Sequence, residues 1–215
     1  MCARRRRRPL DKGGLVRVAV LDYGAGNVRS LCAALERAGL RPQVTRDPKV
    51  AWEAPLAVVA GVGHLRAAGA GLEATGVAEA LRRRAQAGRP ILGICVGMQL
   101  LFEESEEGGR GLALLKGPVR RLRARRVPHM GWNALSLRGE TRILQGLEGA
   151  DVYFAHSYAC VPSDPETVVA EVDHEGSIVA AVEREALAGV QFHPERSAAA
   201  GARVLRNVLA WSRSA

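Results

Sequence analysis

The stretch Ile91-Leu-Gly-Ile-Cys-Val-Gly-Met-Gln-Leu-Leu-Phe102 constrains this chain more than any other. It opens as a short apolar run after Pro90, passes through Gly93-Ile-Cys95-Val-Gly97 and continues with apolar periodicity, the pattern of a buried strand, a sharp turn and a helix. A small nucleophile between glycines at a strand-to-helix turn follows the mechanics of a nucleophile elbow. Glycines there permit a strained backbone and close packing of strand on helix. At a helix N-terminus the dipole favours the thiolate, the reactive form of Cys95. The N–H of Val96 is then placed to hold a developing oxyanion. Taken alone, the stretch also admits a buried structural cysteine between packing glycines.

The flanking sequence supplies the sheet. Residues 16–22, Val-Arg-Val-Ala-Val-Leu-Asp, read as a central parallel strand, followed by a turn at 23–26 and a helix over 27–38 capped by Asn27 and stopped by Gly39. Residues 41–45 and 56–60 read as further strands, the second running into Gly61-Val62-Gly63. Residues 75–87 read as a helix with Arg82, Arg83 and Arg84 on its solvated side. Strand and helix alternating in this spacing predict an α/β fold: an open, mostly parallel sheet flanked by helices. After an acidic, mobile loop at 103–109, short strands follow around 119, 131–137, 152–160, 168–172, 178–182 and 189–192, which predict additional antiparallel strands. A helix over 198–211 closes the chain. Residues 120–126 carry five arginines, either an anionic-ligand surface or a charged strand edge.

Charge and cysteines narrow the class. The chain has 215 residues and a net charge of +9, but Arg4 to Arg8 and Lys12 concentrate that charge in residues 1–14. This segment reads as a disordered basic tail or a start assigned too far upstream, and residues 15–215 as a single domain. A nucleic-acid role would rest on that tail alone, with no aromatics interleaved, so no nucleic-acid partner is expected. No apolar run approaches the roughly 20 residues of a membrane helix, so no membrane partner is expected. Cys2, Cys32, Cys95 and Cys160 show no C-x-x-C pairing, which predicts a reducing, cytoplasmic setting rather than a disulfide framework.

A thiol nucleophile needs a base, and the base an orienting group. His193 is the best of the five histidines. It follows the apolar run Ala188-Gly-Val-Gln-Phe192, where a strand end faces the same side of a parallel sheet as Cys95. Glu195, two residues on, is placed to hold the imidazole tautomer. His64 reads as exposed and His174 as part of a polar turn. None of the histidines shows metal-ligand spacing, so no metal and no cofactor are expected.

With these residues in hand, Gly93-Ile-Cys-Val-Gly-Met-Gln99, Gly61-Val-Gly63 and Val190-Gln-Phe-His-Pro-Glu195 resemble the class I (triad) glutamine amidotransferases, whose fold has a flavodoxin-like core. Within them, Pro128-His-Met-Gly-Trp-Asn133, Tyr153-Phe-Ala-His-Ser-Tyr158 and Asp22-Tyr-Gly-Ala-Gly-Asn27 are similar to the glutaminase subunits of imidazole glycerol phosphate synthases, of histidine biosynthesis. The resemblance spans about residues 16–212 and implies Cys95 as nucleophile, His193 as acid and base, and Glu195 as its orienter. It implies an oxyanion held by the N–H of Val96 with Val62 or Gly63, and glutamine gripped near Gly63, Gln99, Ser157 and Tyr158. It also implies a (β/α)8 cyclase subunit as heterodimer partner, which takes the ammonia and is met near Asn27, Met130, Trp132, Asn133 and Arg196. The alternative is the glutaminase subunit of another synthase, such as that feeding pyridoxal phosphate synthesis, although the 128–133 and 153–158 motifs differ there. Two positions depart from the family: Ala60 stands where proline is usual, and His64 where a small or aromatic residue is common.

Overall fold

The computed structural model describes residues 15–24 and 28–214. The expectations placed on residues 1–14 and on Asn27, as helix cap and as interface residue, lie outside the described residues. In chain order the elements are β1 (Val16–Leu21), α1 (Val28–Arg37), β2 (Leu40–Thr45), α2 (Pro48–Glu53), β3 (Leu56–Gly61), α3 (Leu65–Ala74), α4 (Val77–Gln86), β4 (Ile91–Cys95) and α5 (Val96–Gln99). The second half holds β5 (Glu104–Ser105), β6 (Pro118–Arg121), β7 (His129–Ala134), β8 (Ser136–Leu137), β9 (Asp151–His156), β10 (Tyr158–Cys160), β11 (Val168–Asp173), β12 (Ser177–Arg184), β13 (Leu187–Val190) and α6 (Ala198–Ser214).

Eight strands form one sheet in the order β2-β1-β3-β4-β13-β12-β11-β8. The first five run parallel, and the last three are antiparallel to their neighbours. This is the α/β fold with added antiparallel strands that the sequence predicts. With β13 in fifth place, the parallel part has the 2-1-3-4-5 order of a flavodoxin-like core. Every residue of β3 and β4 is buried; such strands read as continuous apolar runs because both faces are covered. At the sheet edge β2 is mostly exposed and carries Pro42, tolerated there because an edge strand can spare an N–H. Two smaller sheets, β10-β6-β5 and β7-β9, are built on the antiparallel half.

Several local expectations are corrected. The helix expected over 75–87 starts at Val77, because Gly76 (φ 73°) breaks the chain between it and a second helix, α3, that the sequence reading missed. Gly69 and Gly71 hid α3, since glycine disfavours helix. They are needed because a Cβ at Gly69 would collide with the Arg110 carbonyl, and one at Gly71 with that of Tyr23. The short α2 was missed as well, although Asp47 caps it by accepting from Lys49 N and Pro48 occupies its first turn. Arg84 does not lie on a solvated face. It is fully buried, and its guanidinium binds the carbonyls of Ala51, Trp52, Ala54, Pro55 and Pro90. The arginine-bearing β6 is the centre of its sheet, not an edge. The acidic stretch at 103–109 is tied in place by its own carboxylates: Glu103 accepts from Gly117 N, Glu106 from Arg121 N, and Glu107 from Leu65 N.

Candidate active site

Cys95 is the last residue of β4 and the cap of α5, and is 3% exposed. Its backbone sits at φ 54° and ψ −114°, a region that a residue with a Cβ occupies only under strain. The strain therefore falls on the cysteine itself. The glycines around it serve close approach: a Cβ on Gly97 would drive into the carbonyl of Val59 on β3, and one on Gly93 into the backbone of Gly97 and Met98. The helix expected after the turn is a single turn, so its dipole contributes little at the sulfur.

His193 arrives from the neighbouring parallel strand. β13 pairs with β4 in the register Val190↔Ile94, so the chain leaving β13 passes beside the elbow. Its N–H donates to Tyr153 O, and the Ser197 hydroxyl donates to its carbonyl at 2.7 Å, which fixes the backbone. The imidazole is 5% exposed, and its Nδ1 lies 2.9 Å from Glu195 Oε1. Burial pushes its pKa down, but the hydrogen bonds to Cys95 and Glu195, together with their charges, outweigh that and raise it to about 10. Both partners thus favour the charged form of the imidazole beside the sulfur.

Cys95, His193 and Glu195 open into one cavity of about 720 Å³ whose walls also include Val62, Gly63, Val96, Gln99, Ser157, Tyr158 and Arg196. Gly61 is the register partner of Cys95, so the loop carrying Val62 and Gly63 starts beside the elbow. Both loop residues are exposed, and Gly63 has φ 91°. Behind the loop, a Cβ on Gly61 would strike the hydroxyl of the buried Tyr23. The loop's far end is tied by His64, whose Nδ1 is 2.8 Å from Glu107 Oε1, so the unusual His64 has a local partner although its side chain is 77% exposed. Of the four described residues expected at a partner surface, Met130 and Trp132 are 65% and 54% exposed. Arg196 lies over the Tyr153 ring at 4.0 Å, while Asn133 turns its amide inward.

Sequence reasoning missed Gln191, whose Nε2 lies 3.7 Å from the Cys95 sulfur and whose Oε1 accepts from Gln99. Its position directly after the buried strand β13 and two residues before His193 was the available signal. It also missed that His174 stacks on His129, 4.2 Å between ring centroids. Among the described residues no group of histidine, cysteine and carboxylate side chains is arranged to hold a metal ion, and no helix is long and apolar enough to cross a membrane. Cys32, Cys95 and Cys160 are free.

The sequence matches the family profile described as glutamine amidotransferase class-I over residues 19–210. It is 44% identical over 194 residues to the imidazole glycerol phosphate synthase subunit HisH of Moorella thermoacetica, covering 88% of this chain and 92% of that one. It is 45% identical over 213 residues to the subunit of the same name from Rhodospirillum rubrum, covering 92% of this chain and 100% of that one. Among solved structures, one described as a glutamine amidotransferase superposes with a TM-score of 0.75 at 22% identity, covering 91% of this chain and 98% of that one, a likeness of fold. The elbow cysteine, the parallel sheet beneath it and these two levels of sequence similarity converge: this chain belongs to the class-I glutamine amidotransferases, and within them to the HisH subunits.

Proposed function

We propose that this chain is the glutamine-hydrolysing subunit of an imidazole glycerol phosphate synthase, working in the cytoplasm in histidine biosynthesis. The observation that carries the reading is the placement of Cys95, His193 and Glu195 around one cavity, at the ends of adjacent parallel strands.

In this reading the Cys95 sulfur attacks the carboxamide carbon of glutamine. The oxyanion is received by the N–H of Val96 and one from Val62 or Gly63. His193, whose charged form Cys95 and Glu195 favour, gives its proton to the leaving nitrogen, so that ammonia departs and a γ-glutamyl thioester remains. The now neutral imidazole takes a proton from water, the resulting hydroxide attacks the thioester, and glutamate leaves as the thiolate and imidazolium are restored. Glu195 holds Nδ1–H and keeps Nε2 toward the sulfur. Gly63, Gln99, Ser157 and Tyr158 form the glutamine side of the cavity. Both side-chain N–H groups of Gln99 are engaged by Tyr158 O and Gln191, which leaves Oε1 as the atom it can offer. Met130 and Trp132, exposed side by side with Arg196 nearby, suit a partner surface, and the partner of matching chemistry is the (β/α)8 cyclase. Ammonia released into a sealed interface escapes protonation by bulk water.

The test is glutamate release from glutamine by the purified chain, alone and with the cyclase subunit and its nucleotide ligand. Release stimulated by the liganded cyclase is expected. Release that ignores the cyclase would remove the pathway assignment, and no release under any condition would remove the catalytic one.

A further inference from the structure

Strand β7 has two faces with different duties. Met130 and Trp132 point to solvent, whereas His129 and Asn133, out of phase with them, turn inward. His129 is the register partner of His156 on β9, and its Nδ1 stands 3.0 Å from His156 Nε2. Chemistry dictates the direction of each bond. The carbonyl of Tyr158 can only accept, so His156 Nδ1, 2.8 Å away, carries the proton. His156 Nε2 then accepts from His129 Nδ1–H. His129 Nε2 is left to accept from the Asn133 amide at 3.3 Å, while the same amide nitrogen also donates to Asp173 O at 2.8 Å.

The chain of bonds does not stop at Tyr158. The same carbonyl accepts from Gln99 Nε2 at 2.9 Å, Gln99 donates to Gln191 Oε1 at 3.0 Å, and Gln191 Nε2 reaches the Cys95 sulfur at 3.7 Å. Ring stacking fixes the plane of His129, with Phe154 at 4.5 Å on one contact and His174 at 4.2 Å on another. His174 is itself held by Nε2–H donating to Arg126 O at 2.7 Å. Burial holds the pKa of both His129 and His156 down, at about 4, so both are neutral at pH 7 as the bond directions require. A pair of buried imidazoles whose only role was filling space would be replaceable by apolar side chains at little cost. Here the outermost donor ends on a carbonyl that lines the cavity.

We propose that His129 and His156 are positioning residues: they fasten the Tyr158 carbonyl, and through Gln99 and Gln191 the surroundings of the Cys95 sulfur, to the inner face of the strand whose outer face carries Met130 and Trp132. The proposal rests on reading the cavity as a glutamine site. Docking against β7 and the shape of the glutamine wall are thereby mechanically linked.

The test compares His156→Leu, which removes the donor, with His156→Asn, whose amide keeps an N–H near the Nδ1 position. Glutamine hydrolysis is measured on the full chain with the cyclase and its nucleotide ligand, each rate divided by the concentration of folded protein measured by circular dichroism. His156→Leu is expected to raise the glutamine KM about 10-fold while kcat changes less than about threefold, the size of one lost hydrogen bond, with most of the KM restored in His156→Asn. Wild-type KM in the leucine variant overturns the proposal, as does an asparagine variant no better than leucine, since a merely structural role lowers stability without this split and rescue. Should the leucine variant fail to fold, His129→Phe keeps the ring stack and removes both nitrogens. A KM rise of about threefold or more then supports the linkage, and an unchanged KM overturns it. If wild-type protein with the cyclase does not hydrolyse glutamine, the reading of the site falls and this proposal with it; if the wild type is active and the variants match it, only the linkage falls.

Discussion

Replacing Arg84 tests whether a buried cation, and not apolar packing alone, joins α2 to the start of β4. Its Nη1 donates to Ala51, Trp52 and Ala54 carbonyls at 2.8, 2.9 and 2.8 Å, and Nη2 to Pro90 at 2.8 Å and Pro55 at 3.4 Å. The first three oxygens belong to the end of α2, where the backbone lacks intrahelical donors and carries partial negative charge. Charge-assisted bonds of this kind contribute roughly 1.5–3 kcal/mol each when measured singly, but they share one guanidinium and do not add. Water entering the space left by Arg84→Ala would re-satisfy some of the carbonyls. The expected loss is therefore about 4 kcal/mol, within the range for breaking a buried charged network, and a large share of a typical total of roughly 5–15 kcal/mol. Arg84→Lys returns one charge and three donors without the planar fork and should lose about 2 kcal/mol. Guanidinium unfolding followed by circular dichroism, with equal denaturant slopes across the series, measures both. Pro90 lies before the strand and Cys95 at its far end, about 17 Å apart along five residue steps, so kcat/KM per folded molecule should stay within about twofold of wild type. A loss below about 1 kcal/mol for the alanine variant, or a lysine variant as unstable as alanine, refutes the reasoning.

The other predictions concern the elbow, the base and the histidine cluster. Cys95→Ala should abolish glutamine hydrolysis yet leave binding to the cyclase unchanged by titration calorimetry, because the sulfur lies in the cavity and Met130 and Trp132 are untouched. Glu195→Gln should lower kcat by at least about 10-fold with glutamine KM little changed, since it weakens the hold on His193 Nδ1 and not the glutamine wall. Gly97→Ala should cost about 3 kcal/mol or more, or prevent folding, because the added methyl meets the Val59 carbonyl inside the sheet and neither backbone can retreat; a thermal melt within a degree or two of wild type would contradict the packing argument. His129 and His156 have folded pKa values near 4 against an ordinary 6.5. The unfolded chain therefore binds more protons between those values, and stability falls as pH drops from about 6.5 toward 4, before most carboxylates titrate. Unfolding free energies of wild type and His129→Phe should diverge at neutral pH and converge, or cross, near pH 4.5. Parallel curves would show that the histidines do not titrate this way.

What was legible in the sequence was what local pattern encodes. The buried parallel strands announce themselves because double coverage leaves only apolar residues in β3 and β4. The turn at Cys95 does so because its close packing needs glycines at 93 and 97, which the sequence cannot hide. The triad candidates stood at strand ends that the parallel reading already sent to one face. Residues whose role depends on distant backbone stayed invisible. Arg84 looks like one of three exposed arginines on a helix, and only the end of α2, some 30 residues earlier, gives it a reason to be buried. Helix α3 was obscured because its glycines answer to Arg110 and Tyr23 rather than to helix propensity. The histidine cluster was illegible for the same reason: His129, His156 and His174 lie on three separate strands or turns, and nothing within any one segment says that their rings meet.

The parallel pairing of β13 with β4 explains why the chain makes its detour through the antiparallel half before closing. From β4 the chain leaves the parallel part of the sheet, builds β5 to β10, of which only β8 rejoins the main sheet, at its far edge, and returns through β11 and β12, which run antiparallel to each other. One more antiparallel step from β12 brings β13 alongside β4 in the same direction as β4. Had β13 run the other way, the residues following it would emerge at the end of the sheet where Pro90 enters, roughly 13–17 Å from the sulfur at the rise of a strand. Because it runs parallel, Gln191 and His193 emerge beside Cys95, and Glu195 follows within a single turn that His193 caps. The excursion also leaves β7 and β9 against this edge, where Tyr153 O receives the His193 N–H. His193 is thus fastened to the same strand pair that carries His129 and His156, and the outward face of that pair is where the exposed Met130 and Trp132 stand. The antiparallel half therefore has two effects that one topology produces: it reverses the chain so that His193 arrives on the side of Cys95, and it supplies the strand pair that joins this side to the exposed Met130 and Trp132.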